Sequence, residues 1–344
     1  MIDAIITLIR NICCMKKVFL MFILILVLLT YAALEFLRYE DAPSGSGNEK
    51  KIIEIAPGRG FGAIIESLRQ AGLIQNSLKF KILARLRGYD KKIRAGEYQL
   101  SPSMSPKDML ELMISGRVYL HKLTIPEGYT MREIAAEIAN AGFAVEAEII
   151  NAATDEAFIR QQGLDAPGLE GYLFPDTYYF PKGVKAQTIL SAMLRRYHAV
   201  FRSEWKQKAK EMGFSAHQTL TLASIIEKET GLASERPIVS SVFHNRLKRI
   251  MRLESDPTVG YGVENFNGHI TRKDLERVTP YNTYKIQGLP PGPIANPGAK
   301  AIQAALYPAD TAFLFFVAKG DGSHYFSTTY PEHQQAVRKY QIGK

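Results

Sequence analysis

The chain has 344 residues, 46% hydrophobic and 22% charged. It can therefore bury a sizeable core and exceeds one average domain, which excludes a wholly disordered protein. Its 43 Lys and Arg against 34 Asp and Glu leave a formal charge of +9. With no basic block interleaved with aromatics, that balance points to anionic lipid or an acidic polymer and away from nucleic acid.

Residues 1–17 carry Arg10, Lys16 and Lys17 ahead of an uncharged run from Val18 to Leu34. Extended through Leu37, the run approaches the ~20 residues that cross a bilayer. Glu35, Glu40 and Asp41 follow it. The positive-inside rule then places 1–17 in the cytoplasm, one transmembrane helix over 18–37 in the cytoplasmic (inner) membrane, and the rest outside. A cleavable signal peptide is the competing interpretation, but the run is long for one and no small-x-small site precedes the polar stretch. The basic-then-apolar pattern begins at Met15. Cys13 and Cys14 are the only cysteines, both on the cytoplasmic side, so the exported part has no disulfide to make. A linker is expected over 38–50, flexible at Ala42–Asn48.

An internal repeat follows. Ile53-Glu54-Ile55-Ala56-Pro57-Gly58, then Phe61, Ile64, Leu68 and Ala71-Gly72, recurs as Leu123-Thr124-Ile125-Pro126-Glu127-Gly128, then Met131, Ile134, Ile138 and Ala141-Gly142. Each copy predicts a strand, a glycine turn, an amphipathic helix and a terminal glycine. Arg94–Leu100 predicts another strand, and Ser105-Pro106 opens a helix bearing Met109, Leu110 and Met113 that Gly116 ends. The reading is an α+β protein with a small module over 51–118 and a larger domain over 119–344.

In the larger domain, Glu170–Phe180 reads as an aromatic-rich loop or short strand. Ser215 N-caps a helix that runs to Glu229, and Ser234 with Pro237 starts another bearing Val239, Val242, Phe243 and Leu247. The stretches Ser255–Thr258, Tyr281–Tyr284 and Gly288–Gly292 have the chemistry of ordered loops. A helix over Ala299–Leu306, strands over Phe313–Ala318 and His324–Ser327, and a helix from Pro331 complete the chain.

Glu229 is the most informative position. Leu222, Ile225 and Ile226 precede it by seven, four and three residues, so an apolar helix stripe carries a carboxylate. Such a group is paired, or placed at a cleft floor, or kept protonated by its surroundings. The plainer alternative is a last-turn residue facing water, with Gly231 as C-cap.

No G-x-S-x-G elbow or phosphate loop occurs, the seven histidines are scattered, and no lysine has a Schiff-base context, so neither metal nor cofactor is expected. Carboxylate chemistry on a polysaccharide remains. A glycosidase needs two carboxylates. Glu229 is the convincing acid, and Glu170, Asp176, Glu227, Glu235 and Asp256 are each open as partner.

The chain resembles the endolytic murein transglycosylases, the YceG-like group. The resemblance rests on Ala223–Thr230, Ala233–Arg236, Val242–Leu247, Met251–Val259, Tyr281–Tyr284 with Gly288–Gly292, and Glu170-Gly171 with Phe174–Thr177. It implies a LysM-like subdomain ahead of a lysozyme-like lytic transglycosylase domain, with Glu229 as catalytic residue. It also implies non-hydrolytic cleavage of the β-1,4 bond between N-acetylmuramic acid and N-acetylglucosamine, leaving a 1,6-anhydromuramoyl end. Glu170, Asn245, Asp256, Asn282 and Tyr284 are the candidates for holding sugar groups, with turn and cap roles as their alternative. The expected partners are glycan strands, the membrane and a peptidoglycan synthase. A non-catalytic scaffold that binds the same strands is the competing class.

Overall fold

The computed structural model describes residues 2–263 and 268–342, with the backbone alone over 3–14, so the side chains of Cys13 and Cys14 lie outside the described residues. It mixes helices and strands in two compact units, Met1–Leu120 and His121–Lys344.

The first unit comprises α1 (Ile2–Asp41), β1 (Lys51–Ile55), α2 (Phe61–Gln70), α3 (Ser77–Leu86), β2 (Gly96–Leu100) and α4 (Pro106–Ser115). From Met15 to Asp41, α1 is long and apolar enough to cross a membrane. The expected linker over 38–50 is not free chain. Residues 38–41 complete α1, Gly45 N–H donates to Pro102 O at 3.0 Å, and Ser101 Oγ donates to Gly47 O at 3.1 Å.

β1 and β2 pair antiparallel with Lys51 opposite Leu100 and Ile55 opposite Gly96. Their inner side chains meet Leu68, Phe80, Leu83, Met109, Leu110 and Met113 in one core. Tyr98 is fully buried there, and its hydroxyl donates to Arg94 O at 2.9 Å and Met113 O at 3.1 Å, which satisfies the one polar atom it brings inside. The sequence does not mark α3, because its apolar residues fall on two faces, Phe80, Leu83 and Ala84 on one and Leu78, Ile82 and Leu86 on the other, instead of one stripe. Its N-cap, Asn76, accepts from Lys79 N–H.

The second unit comprises β3 (His121–Thr124), α5 (Met131–Asn140), α6 (Glu146–Ala153), α7 (Glu156–Gln161), β4 (Thr177–Phe180), α8 (Ala186–Val200), α9 (Ser203–Glu211), α10 (Ala216–Glu229) and α11 (Arg236–Lys248). After these come the short α12 (Pro257–Gly260) and α13 (Arg272–Glu276), then α14 (Ala299–Leu306), β5 (Phe315–Ala318), β6 (His324–Ser327) and α15 (Tyr330–Val337). β3 pairs with β4, and β5 with β6, both antiparallel.

The two copies of the repeat share one backbone plan. In each, a strand leads through a left-handed glycine, Gly58 or Gly128, into a helix. Each helix ends in a left-handed glycine, Gly72 or Gly142, whose following N–H bonds back five residues, Leu73 to Leu68 O and Phe143 to Ile138 O.

α10 is the structural centre of the second unit, packed by α14, α11, α12 and α9. A capping box between Ser215 and Gln218 starts it. Every residue from Thr219 to Ile226 is buried, so the helix is enclosed all round and not along one apolar stripe. Its polar side chains bond internally: Thr219 Oγ1 donates to Ser215 O, Thr221 Oγ1 to His217 O, and Ser224 Oγ to Thr221 O. Gly231 is not its C-cap. The helix ends at Thr230, whose φ of −140° turns the chain extended immediately after Glu229. In α11 the cap position belongs to Glu235 and not Ser234.

Candidate active site

Burial of α10 on all sides gives its two glutamates different fates. Glu227 Oε1 accepts from Arg236 at 2.8 Å and its Oε2 accepts from Gly298 N–H at 2.9 Å, an ion pair held inside the protein. Glu229, as the last helical residue, opens on a cleft of about 380 Å³ that Arg246, Leu253, Glu254, Asp256, Tyr284 and Phe316 also line, with His324 and His333 from the C-terminal hairpin and helix.

The Glu229 carboxyl is pushed up to about 7. Burial is the main cause and the Asp256 charge adds to it, against the Ser255 hydroxyl and the Arg246 charge, which favour the ionised form. Ser255 Oγ donates to Glu229 Oε1. Asp256 is exposed at the cleft mouth, and its Oδ1 accepts from the Tyr284 hydroxyl at 2.6 Å.

Arg246 supplies the fixed cation. Its Nε donates to Leu314 O at 2.7 Å and its Nη1 donates to Leu253 O at 2.8 Å and Glu254 Oε2 at 3.1 Å. Glu254 has φ +50°, a left-handed backbone that a side chain seldom adopts, so the loop is bent where it enters the cleft. Behind the lining, Glu235 Oε1 accepts from His324 N–H at 3.0 Å and its Oε2 lies 2.7 Å from His324 Nδ1, which orients that imidazole.

Of the residues singled out from the sequence, Glu229, Asp256 and Tyr284 share this cleft. Asn245 and Asn282 do not line it: Asn245 Nδ2 donates to Thr311 O and Phe313 O, and Asn282 Nδ2 donates to Asp274 O, Leu275 O and Arg277 O. These amides hold loops. Asn282 does so for the site itself, since its Oδ1 accepts from Tyr284 N–H at 3.0 Å.

Glu170 also lies outside the cleft lining. Its carboxyl accepts from Met131 N–H and the Tyr261 hydroxyl at 3.0 Å and from Asn296 Nδ2 at 2.8 Å, and burial pushes it up to about 7. The neighbouring Gly171 has φ +86°, and a Cβ there would lie 2.3 Å from Pro293 Cγ, so only glycine fits beside it. Asp176 pairs with Arg196. Sequence reasoning did not single out Ser255, Arg246, His324 or His333 as site residues. Ser255 and Arg246 stand within the motif blocks, but nothing local marks the two histidines. Among the described residues no three His, Cys, Asp or Glu side chains converge as a cation site.

The arrangement can support carboxylate acid–base chemistry: one partly buried, easily protonated acid in a cleft that an arginine and further carboxylates also line. The chain belongs to the YceG-like family, whose pattern matches residues 53–339. It is similar to the endolytic murein transglycosylase of Bacillus subtilis, with 35% identity over 308 residues and 85% of each chain covered. The endolytic murein transglycosylase of Streptococcus pneumoniae is 28% identical over 360 residues, which span 95% of this chain and 65% of that protein. A crystal structure of a YceG-like protein from Listeria monocytogenes matches with a TM-score of 0.58 and 35% identity, covering 84% of this chain and 100% of that one.

Proposed function

We propose that the chain is an endolytic murein transglycosylase, a lyase that cuts peptidoglycan strands with Glu229 as its one acid–base group. The observation that carries this reading is the partly buried Glu229 carboxyl in the cleft lining, its pKa pushed up to about 7 and its Oε1 bonded by Ser255. The names borne by the Bacillus and Streptococcus relatives support it.

The bond cut is the β-1,4 link from N-acetylmuramic acid to N-acetylglucosamine. Protonated Glu229 gives its proton to the glycosidic oxygen as the C1–O bond breaks. The C6 hydroxyl of the same muramic acid then closes on C1, and its proton returns to Glu229. The C1–O6 bond so formed leaves a 1,6-anhydromuramoyl end. No water enters, so no second carboxylate is required as nucleophile or base. A carboxyl that titrates near pH 7 suits both halves, since its two protonation states are of similar free energy.

In this reading Asp256 and Tyr284, which line the cleft, contact the sugar, and Glu170, Asn245 and Asn282 support the surrounding loops. Residues 51–118 read as a LysM-like subdomain, and 119–344 as the lysozyme-like catalytic domain. α1 anchors the protein in the cytoplasmic membrane with its N-terminus inside, so cleavage falls on strands near the membrane, where a peptidoglycan synthase extends them.

Digestion of purified peptidoglycan by the full chain and by Glu229→Gln, followed by mass spectrometry, tests the reading. Anhydromuramoyl ends from the wild type alone are expected. Reducing ends would mean a hydrolase, with Asp256 or Glu254 as second carboxylate, and would overturn it.

A further inference from the structure

α3 is tied at both of its ends to adjacent residues of α1. At its start, the Tyr39 hydroxyl donates to the carbonyl of the N-cap Asn76 at 3.2 Å and Lys79 Nζ lies 5.5 Å from the Tyr39 ring centroid. At its end, the C-cap Arg87 pairs with Glu40. A ten-residue helix is ~15 Å long at ~1.5 Å per residue. Laid along α1, its ends would meet residues about ten apart in sequence. Ends that meet residues 39 and 40 mean that α3 runs across α1. Those residues follow the expected span end at Leu37 by two and three positions, about 3–5 Å along the helix.

The core side of α3 is Phe80, Leu83 and Ala84. The opposite side is apolar as well: Leu78 is 67%, Ile82 41% and Leu86 73% exposed. Spaced by four residues, the three fall within an arc of about 80°. Lys81 and Arg85 flank the arc on one side and Lys79 on the other. A stripe of large apolar residues that a soluble surface would not retain, edged by long cations, is the pattern of a helix lying in a membrane interface.

We propose that α3 lies in the headgroup layer of the bilayer that α1 crosses, with Leu78, Ile82 and Leu86 against the acyl boundary and Lys81 and Arg85 against anionic headgroups. This rests on the reading of α1 as a membrane span. α3 then fixes the first unit flat on the membrane instead of leaving it on a tether. The exposed stripe and the crosswise docking together select lipid as the occupant, since the lipid boundary begins within one helical turn of the Tyr39 and Glu40 contacts.

The test uses the full chain with Cys13→Ser and Cys14→Ser, carrying one fluorescent label at Leu26→Cys, Leu78→Cys or Leu86→Cys, in vesicles of phosphatidylglycerol and phosphatidylcholine. Labels at 78 and 86 should be quenched most by lipids brominated near the glycerol end and shielded from aqueous iodide, and the label at 26 by lipids brominated near the chain terminus. Quenching at 26 with labels at 78 and 86 open to iodide would overturn the proposal while the span stands. No lipid quenching at 26 would overturn the span and the proposal with it. Replacing phosphatidylglycerol by phosphatidylcholine should weaken quenching at 78 and 86, and unchanged quenching would overturn the headgroup pairing.

Discussion

The Ser255 hydroxyl donates to Glu229 Oε1, and the Ser255 backbone is clamped from both sides to keep it there. Its N–H donates to Thr283 Oγ1 at 2.9 Å and its carbonyl accepts from Thr258 Oγ1 at 2.6 Å, while the two threonine hydroxyls lie 2.9 Å apart. All three residues are buried, so this network is out of reach of competing water. A donor fixed in this way favours the carboxylate and opposes the desolvation that favours the acid.

Removing that donor should therefore raise the Glu229 pKa. In Ser255→Ala the alkaline limb of kcat/KM, set by loss of the acid form, should move up by about one pH unit, since a hydrogen bond to a charged group contributes ~1.5–3 kcal/mol. A pH profile measured on soluble glycan fragments checks it. A limb that stays in place would show that Glu229 is not the titrating acid.

Asp256 acts with the opposite sign, because its negative charge raises the Glu229 pKa. Asp256→Asn should move the same limb downward. The shift should be smaller, a few tenths of a pH unit, because Asp256 is exposed and its field is screened. Opposite displacements from the two variants are hard to obtain from general damage to the fold, so the pair of profiles separates electrostatic tuning from structural loss.

The two glutamates of α10 should separate in the same way. Glu229→Gln should lower kcat by about 10²–10⁴, the range for a lost general acid, with no loss of fold stability. Glu227→Gln weakens the buried pair with Arg236, whose Nε already lacks a partner, and should cost about 3 kcal/mol of stability. Thermal unfolding and the specific activity of the folded fraction distinguish them. A full-strength Glu229→Gln, or an inactive but stable Glu227→Gln, would reverse the roles.

Local signals explain what was legible in the sequence. The capping box at Ser215, the glycine turns of the repeat, the Ser105-Pro106 start and the Ala299–Leu306 helix each depend on neighbours within a turn or two, and each stands where the sequence puts it. Glu229 was legible because carboxylates are rare in apolar runs, although the discriminating fact is α10's enclosure on all sides and not a single stripe. What local pattern cannot supply is the partner of a polar side chain. Asn245 bonds across 66 and 68 residues to Thr311 and Phe313, and so holds a loop instead of a sugar. His324 stands in the cleft lining on β6, paired with Ala318, and its imidazole bonds Glu235, 89 residues earlier.

Glu170 and Glu229 leave a signature in stability as well as in rate. Both carboxyls are raised from 4.5 to about 7 by burial, so each native side chain holds its proton where the unfolded chain has lost it. The stability they contribute is complete below pH 4.5, falls as pH rises toward 7, and is gone above it. Each should account for about 2–3 kcal/mol across that window. His244 and His333, held below their ordinary range by burial, act in the opposite sense, since they cost stability as pH falls. The wild-type curve alone therefore mixes the two signs. Glutamine mimics the protonated acid at every pH, so Glu170→Gln and Glu229→Gln should each match wild type near pH 4 and exceed it near pH 8. Urea unfolding at the two pH values reads this directly. Parallel curves for wild type and Glu170→Gln would mean that the Glu170 carboxyl is ionised throughout, its charge carried by Met131 N–H, Tyr261 and Asn296.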